Sequence, residues 1–146
     1  MDGPYGLFSH LARAPQPGPL VMIAGGIGIT PILSMLRHMA AAADERPVTL
    51  IWGNRREADI VYRQELHAMA AGPLNLRIHH VLSQQPDWPG PTGFVNAPLL
   101  QRLLTTEELG GHVFLCGPPP MMASVRRALR SIGVPGRRIH TERFAL

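Results

Sequence analysis

Apolar residues run along this chain in two alternating rhythms. Short, nearly continuous apolar stretches occur at Leu20–Ala24, Val48–Trp52, Leu76–Leu82 and His112–Cys116, with a more polar one at Arg138–Thr141. Runs of that length, rich in β-branched residues, predict strands, and continuous rather than alternating apolarity predicts strands covered on both faces. Between them the apolar residues recur every three or four positions, predicting helices over Pro31–Ala43, Asp59–Ala70, Ala97–Leu109 and Pro120–Ile132. In the first helix Ile32, Leu36, Met39 and Ala43 make one apolar face. Thr30 stands where it can cap that helix, and Pro31 suits the first turn, where its missing N–H is no loss. The fourth helix runs into "SIGVPG", in which Gly133 can take a left-handed cap conformation and Pro135 prevents continuation.

Strands and helices in strict alternation predict an α/β chain: a Rossmann-like, doubly wound, five-stranded parallel sheet with helices on both faces and right-handed crossovers. Ligands of such sheets sit beyond the carboxyl ends of the strands, where the strand order reverses. The site is therefore expected in the turns that follow the strands. The stretch "SQQPDWPGPTG" (Ser83–Gly93) reads as a Pro/Gly loop without a defined form.

Composition narrows this only a little. The chain has 146 residues, 45% of them hydrophobic, enough for one domain with a real core but not for two. No apolar run approaches the roughly 18 residues of a membrane span. A single Cys, Cys116, excludes an internal disulfide framework and points to a reducing, cytoplasmic setting. The seven His residues lack clustered ligand spacing, and the adjacent His79 and His80 on a strand face opposite ways, so no metal site is expected. All 14 basic residues are Arg, and the net charge of +4 is too small to imply a nucleic-acid partner. Arg126, Arg127, Arg130, Arg137 and Arg138 gather near the C-terminus, either as a solvated face or as a surface for an acidic partner.

The chemistry lies in the strand-ending turns. After the first strand comes "GGIGITP", Gly25–Pro31. A strand, a glycine burst and a helix start bring unpaired N–H groups and the positive end of the helix dipole to one point, which suits a pyrophosphate. Gly25, Gly26 and Gly28 let the backbone turn and come close to it. The turn is not a Walker A loop, since no Lys follows, and it departs from GxGxxG because Pro31 stands at the third glycine position. A tight turn that holds nothing is the plain alternative. The second strand ends in "WGNR" (Trp52–Arg55) and the fourth in "CGPPPMM" (Cys116–Met122), and both converge on the same crevice.

These segments in this order, "GPYG", "GGIGITP", "WGNR…DIVYRQEL", "CGPPPMM" and the terminal "ERF", closely resemble the NAD(P)H-binding domain of the ferredoxin–NADP reductase superfamily, along essentially the whole chain. The resemblance implies that Gly25, Gly26, Gly28, Ile29, Thr30 and Pro31 bind the nicotinamide dinucleotide, with Thr30 close to the nicotinamide or its ribose. It implies that Gly53, Asn54, Arg55 and Arg56 and the segment Gly117, Pro118, Pro119, Pro120 and Met121 line the cofactor. Cys116 is placed near the hydride-donating carbon, Glu142 supports the catalytic site, and Phe144 packs near a flavin ring. The implied reaction is hydride transfer from NAD(P)H to FAD, then electron transfer to an iron–sulfur, haem or other acceptor, achieved by positioning two cofactors.

The resemblance also implies an FAD-binding barrel in the same full-length protein. "DGPYGLFS" (Asp2–Ser9) looks like its last segment, so residues 1–15 are read as barrel tail and linker and residues 16–146 as the NAD(P)H-binding domain. The chain by itself is expected to bind NAD(P)H weakly and not to turn over. Membrane contact, if any, is expected only through other segments, at the cytoplasmic face. The Arg55–Arg56 pair could receive a 2′-phosphate, whereas Ser83-Gln84-Gln85 lacks the Ser-Arg pair of many NADPH-using members, and the balance leans to NADH. A different class of function, a non-catalytic dinucleotide sensor or docking module, would need the phosphate turn but not Cys116, Glu142 and Phe144 together.

Overall fold

The computed structural model describes Leu11 and residues 18–142. Five strands, β1 (Leu20–Gly25), β2 (Val48–Asn54), β3 (Leu76–Leu82), β4 (His112–Cys116) and β5 (Ile139–Glu142), pair in parallel in the order β3-β2-β1-β4-β5. The helices are α1 (Ile29–Ala41), α2 (Arg63–Ala71), α3 (Ala97–Leu103), α4 (Thr106–Leu109) and α5 (Pro119–Ser131). Strand order reverses between β1 and β4, the switch point of a doubly wound sheet.

The continuous apolarity of the strands has the predicted cause. Along β1 every residue is buried, and successive side chains enter different cores. Met22 and Ala24 join Leu50, Trp52, Phe114 and Cys116 under α1 and α2. Val21 and Ile23 join Ile51, Val81, Val113 and Leu115 under α3 and α5. Met35, Met39 and Met122 are buried core fillers, while Met121 is only partly buried.

The expected elements shift in four informative places. The first helix starts at Ile29, preceded by a 3-10 turn at Gly26–Gly28, so Thr30 lies inside its first turn and caps nothing. The second is shorter, because a 3-10 turn (Glu57–Asp59) and a left-handed Tyr62 (φ 55°) hold the chain out of the helix until Arg63. The third breaks in two: Leu104 is extended, and the Thr105 hydroxyl accepts from the Glu108 N–H to start α4, with the Glu108 side chain bonded back to the Thr105 N–H. The last strand is displaced by one residue, to Ile139–Glu142, because Arg138 closes a 3-10 turn. The end of α5 is as predicted: Gly133 has φ 102°, and the N–H groups of Gly133 and Val134 bond Arg130 and Leu129, which closes the helix in a Schellman motif.

The Pro/Gly loop is more ordered than its composition implies. The Leu82 N–H bonds the Pro91 carbonyl and the Gly93 N–H bonds the Leu82 carbonyl, docking the loop on the end of β3. The Trp88 indole donates to the His80 carbonyl at 3.1 Å. Phe144 and nearly all of the segment read as barrel tail lie outside the described residues.

Candidate functional site

The strand ends open onto a cavity of about 880 Å³, within the range that encloses cofactor-sized ligands. It lies on the α5 side of the sheet, where the inward-facing series on three adjacent strands stop being apolar. Ile23 is followed on its face by Gly25, Ile51 by Gly53 and Leu115 by Gly117. Gly25 and Gly53 are register partners, and an added Cβ on Gly117 would stand 3.3 Å from the Gly25 Cα. Three neighbouring strands thus end in a bare floor. The Met121 side chain covers Gly25 and Gly117, while a Cβ on Gly53 would meet nothing nearer than 3.9 Å.

Two helices begin at this crevice, and they offer different chemistry. Neither α1 nor α5 has a side-chain cap. At α1 no side chain takes the first N–H groups; the Ile29 N–H bonds the Gly26 carbonyl and Pro31 has none, so it is the turn before the helix, at the positive end of its dipole, that suits an anionic group. At α5 the opening residues Pro119 and Pro120 have no N–H to give, and Pro118, Pro120, Met121 and Val125 present an apolar wall instead. An anionic group is thus better received at the Gly26–Ile27 turn before α1 than at α5.

The anticipated residues do not all stand in the cavity wall. Gly25, Gly26, Gly53, Asn54, Arg55, Pro118, Pro120 and Met121 line it. Gly26 is left-handed (φ 52°) with open space around it. Gly28 is buried elsewhere: a Cβ there would lie 2.2 Å from the Cys116 carbonyl oxygen and 2.8 Å from the Gly117 Cα. Ile29 is core, Thr30 is exposed on the first turn of α1, and Pro31 is half-buried beside it. Arg56 and Pro119 are exposed and point outside the wall.

Cys116 and Glu142 do come together, as register partners at the ends of β4 and β5. The Cys116 thiol approaches the Glu142 carbonyl oxygen at 3.5 Å, and both residues are buried. Burial, and after it the Glu142 charge, push the thiol up to about 12. Cys116 therefore stays a neutral thiol at physiological pH, a packing and contact group rather than a nucleophile.

The rest of the wall was not anticipated as such. Asp59 lines the same cavity, with one carboxylate oxygen accepting the Arg56 N–H at 3.2 Å. Ser83 and Gln84 close the end of β3, and their N–H groups bond the Asn54 and Arg55 carbonyls. Ile27, Val61 and Phe94 form an exposed apolar rim, Phe94 being 79% exposed. The rule that sites lie beyond strand ends covers Ser83 and Gln84, but no periodicity singles out Phe94 or Asp59.

His80 meets His67 of α2 with Nε2 atoms 3.1 Å apart. No group of three or more metal-ligating side chains occurs among the described residues, and no helix there is long and apolar enough to cross a membrane. A smaller hollow of about 440 Å³ lies at the opposite, amino ends of the strands, beside Thr49, Arg77 and Glu108. Its central carboxylate already accepts the Thr49 hydroxyl. The C-terminal arginines also sit away from the crevice, on the later turns of α5 and the turn before β5, where Arg138 donates to the Gly110 carbonyl.

A family model described as the oxidoreductase NAD-binding domain matches residues 22–127. The chain is 40% identical over 149 residues to ferredoxin–NADP reductase B of Sorangium cellulosum, covering 97% of this chain and 60% of that protein. It is 38% identical over 116 residues to NADH-cytochrome b5 reductase 1 of Pyricularia oryzae, covering 77% of this chain and 38% of the relative. Among solved structures, flavohemoglobin from Malassezia yamatoensis with bound FAD and haem superposes with a TM-score of 0.75 at 32% identity, over 88% of this chain and 32% of that one. The chain thus spans about half the length of the curated relatives it matches.

Proposed function

The chain belongs to the oxidoreductase NAD-binding domain family, and from that premise we propose that it is the pyridine-nucleotide half of an NAD(P)H-dependent flavin reductase of the ferredoxin reductase type. The observation that carries this reading is the pairing, in one cavity, of a glycine floor (Gly25, Gly53) with the Gly26–Ile27 turn that leads into α1. That combination fits a flat, doubly anionic ligand better than a neutral one.

The chain's own work is to bind, orient and exclude water. The Gly26–Ile27 turn before α1 would hold the pyrophosphate, and the open end of β2 at Gly53 would let the dinucleotide lie against the sheet. Pro120, Met121 and Val125 keep water from its flank. Asp59 accepts from ribose hydroxyls and repels a 2′-phosphate, so the preferred nucleotide is NADH. Thr30, Cys116 and Glu142, at the adjoining ends of α1, β4 and β5, would serve the nicotinamide end. When bound, the nucleotide supplies the hydride and FAD, held by another domain of the same protein, receives it. The electrons would pass onward to an iron–sulfur, haem or other acceptor.

The test is made in the flavin-containing protein. Glu142→Gln is expected to slow flavin reduction by NADH about 100-fold, the scale of a small misplacement of reacting groups, while nucleotide affinity stays close to wild type. Stopped-flow absorbance at the flavin band reads the rate. An unchanged rate would count against Glu142 as a site residue.

A further inference from the structure

Resting on the reading of the crevice as a nucleotide site, we propose that Trp52 is a positioning residue that sets the peptide plane of the phosphate turn. Trp52 is fully buried on the α1 face of the sheet, and its indole N–H donates to the Gly26 carbonyl at 3.1 Å. A buried indole needs an acceptor. Its acceptor here is the left-handed glycine at the centre of the turn, the residue with the fewest steric constraints on where its carbonyl points.

The same carbonyl accepts the Ile29 N–H, so both of its lone pairs are engaged. In a trans peptide the carbonyl and the following N–H point in opposite directions. Turning the Gly26 oxygen toward Trp52, on the α1 side, turns the Ile27 N–H toward the α5 side, where Gly26 and Ile27 line the cavity. The indole therefore aims a donor at the place where pyrophosphate sits, from the far side of the sheet. Trp52 is itself held by its register partner His80, whose ring centroid lies 5.7 Å from its own.

The experiment compares wild type with Trp52→Phe, which keeps an aromatic ring but removes the donor, at a temperature where circular dichroism shows both fully folded. Nitrogen-15 relaxation without nucleotide reads the turn directly. The Gly26 and Ile27 order parameters should fall from about 0.85 toward 0.6 in the variant while those of β1 stay unchanged. NADH affinity, read by calorimetry, should fall about tenfold, the equivalent of one well-placed hydrogen bond. Unaltered order at Gly26 and Ile27 would overturn the assignment of Trp52 whatever the nucleotide does. A loosened turn with unaltered NADH affinity would also overturn it, by showing that the plane is set but not used. Absence of NADH binding by the wild type would instead count against the proposed function, and is read independently of the relaxation result.

Discussion

Replacing Gly28 with alanine is expected to cost about 3 kcal/mol or more and to unfold part of the population at 37 °C. The added methyl would stand 2.2 Å from the Cys116 carbonyl oxygen and 2.6 Å from its carbon. These are backbone atoms in the middle strand pair of the sheet, where Ala24 and Cys116 are register partners. Neither side can yield cheaply: moving β4 breaks its pairing with β1, and moving the turn breaks the start of α1. Urea unfolding read by circular dichroism measures the effect, and a midpoint equal to wild type would contradict the packing described here. Gly26→Ala provides the contrast. Its Cβ meets open space, so its cost is only the left-handed backbone, about 1 kcal/mol.

Acidification is expected to remove a comparable share of stability through one side chain, His80. It is 7% exposed, and burial, then His67 and Arg63, pull its imidazole down to about 4, with Glu57 opposing. The unfolded chain titrates near the ordinary value of 6.5. Between those values the unfolded state binds the extra proton, so stability is full above about pH 6.5 and is lost as pH falls toward 4. The shift corresponds to about 3 kcal/mol at the lower end. His79 is also lowered by burial and adds to the loss. Urea midpoints at pH 7 and pH 4.5 should converge by most of that amount in His80→Leu relative to wild type. Parallel pH profiles for the two proteins would contradict the assignment.

Fold and site were not equally legible from the sequence. The strand β4 stands where its apolar run places it, because a strand buried on two faces has no alternative to continuous apolarity, and the edge strand β3 does so although Arg77, His79 and His80 interrupt its run. The site's location was legible for the same reason: it follows from strand order, and the "GGIGITP" and "CGPPPMM" turns mark it. Helix starts were less so. Thr30 has the right chemistry for a cap, but the chain enters α1 through a tight turn already satisfied by main-chain bonds, and Thr30 is left exposed. The glycines divide in a way that no string shows. Gly53 leaves space for a ligand, whereas Gly28 leaves space for the Cys116 backbone, and only the register of β1 with β4 tells them apart. The link from Trp52 to Gly26 spans 26 residues and two strands, and it too appears only when the sheet is assembled.

The central claim is that the glycine-floored cavity holds a pyridine dinucleotide. Its most direct test is a calorimetric titration of the chain with NADH, run in parallel on wild type and Gly53→Leu, with NADPH as the comparison ligand. A Cβ at this position meets nothing nearer than 3.9 Å and faces the cavity, so the fold should persist while a leucine side chain displaces the ligand. The account predicts NADH binding by wild type, NADPH binding at least tenfold weaker, and NADH affinity reduced about 30-fold or more in the variant, a loss of about 2 kcal/mol. Equal NADH affinity in the two proteins, or no binding of either nucleotide by wild type, would contradict it.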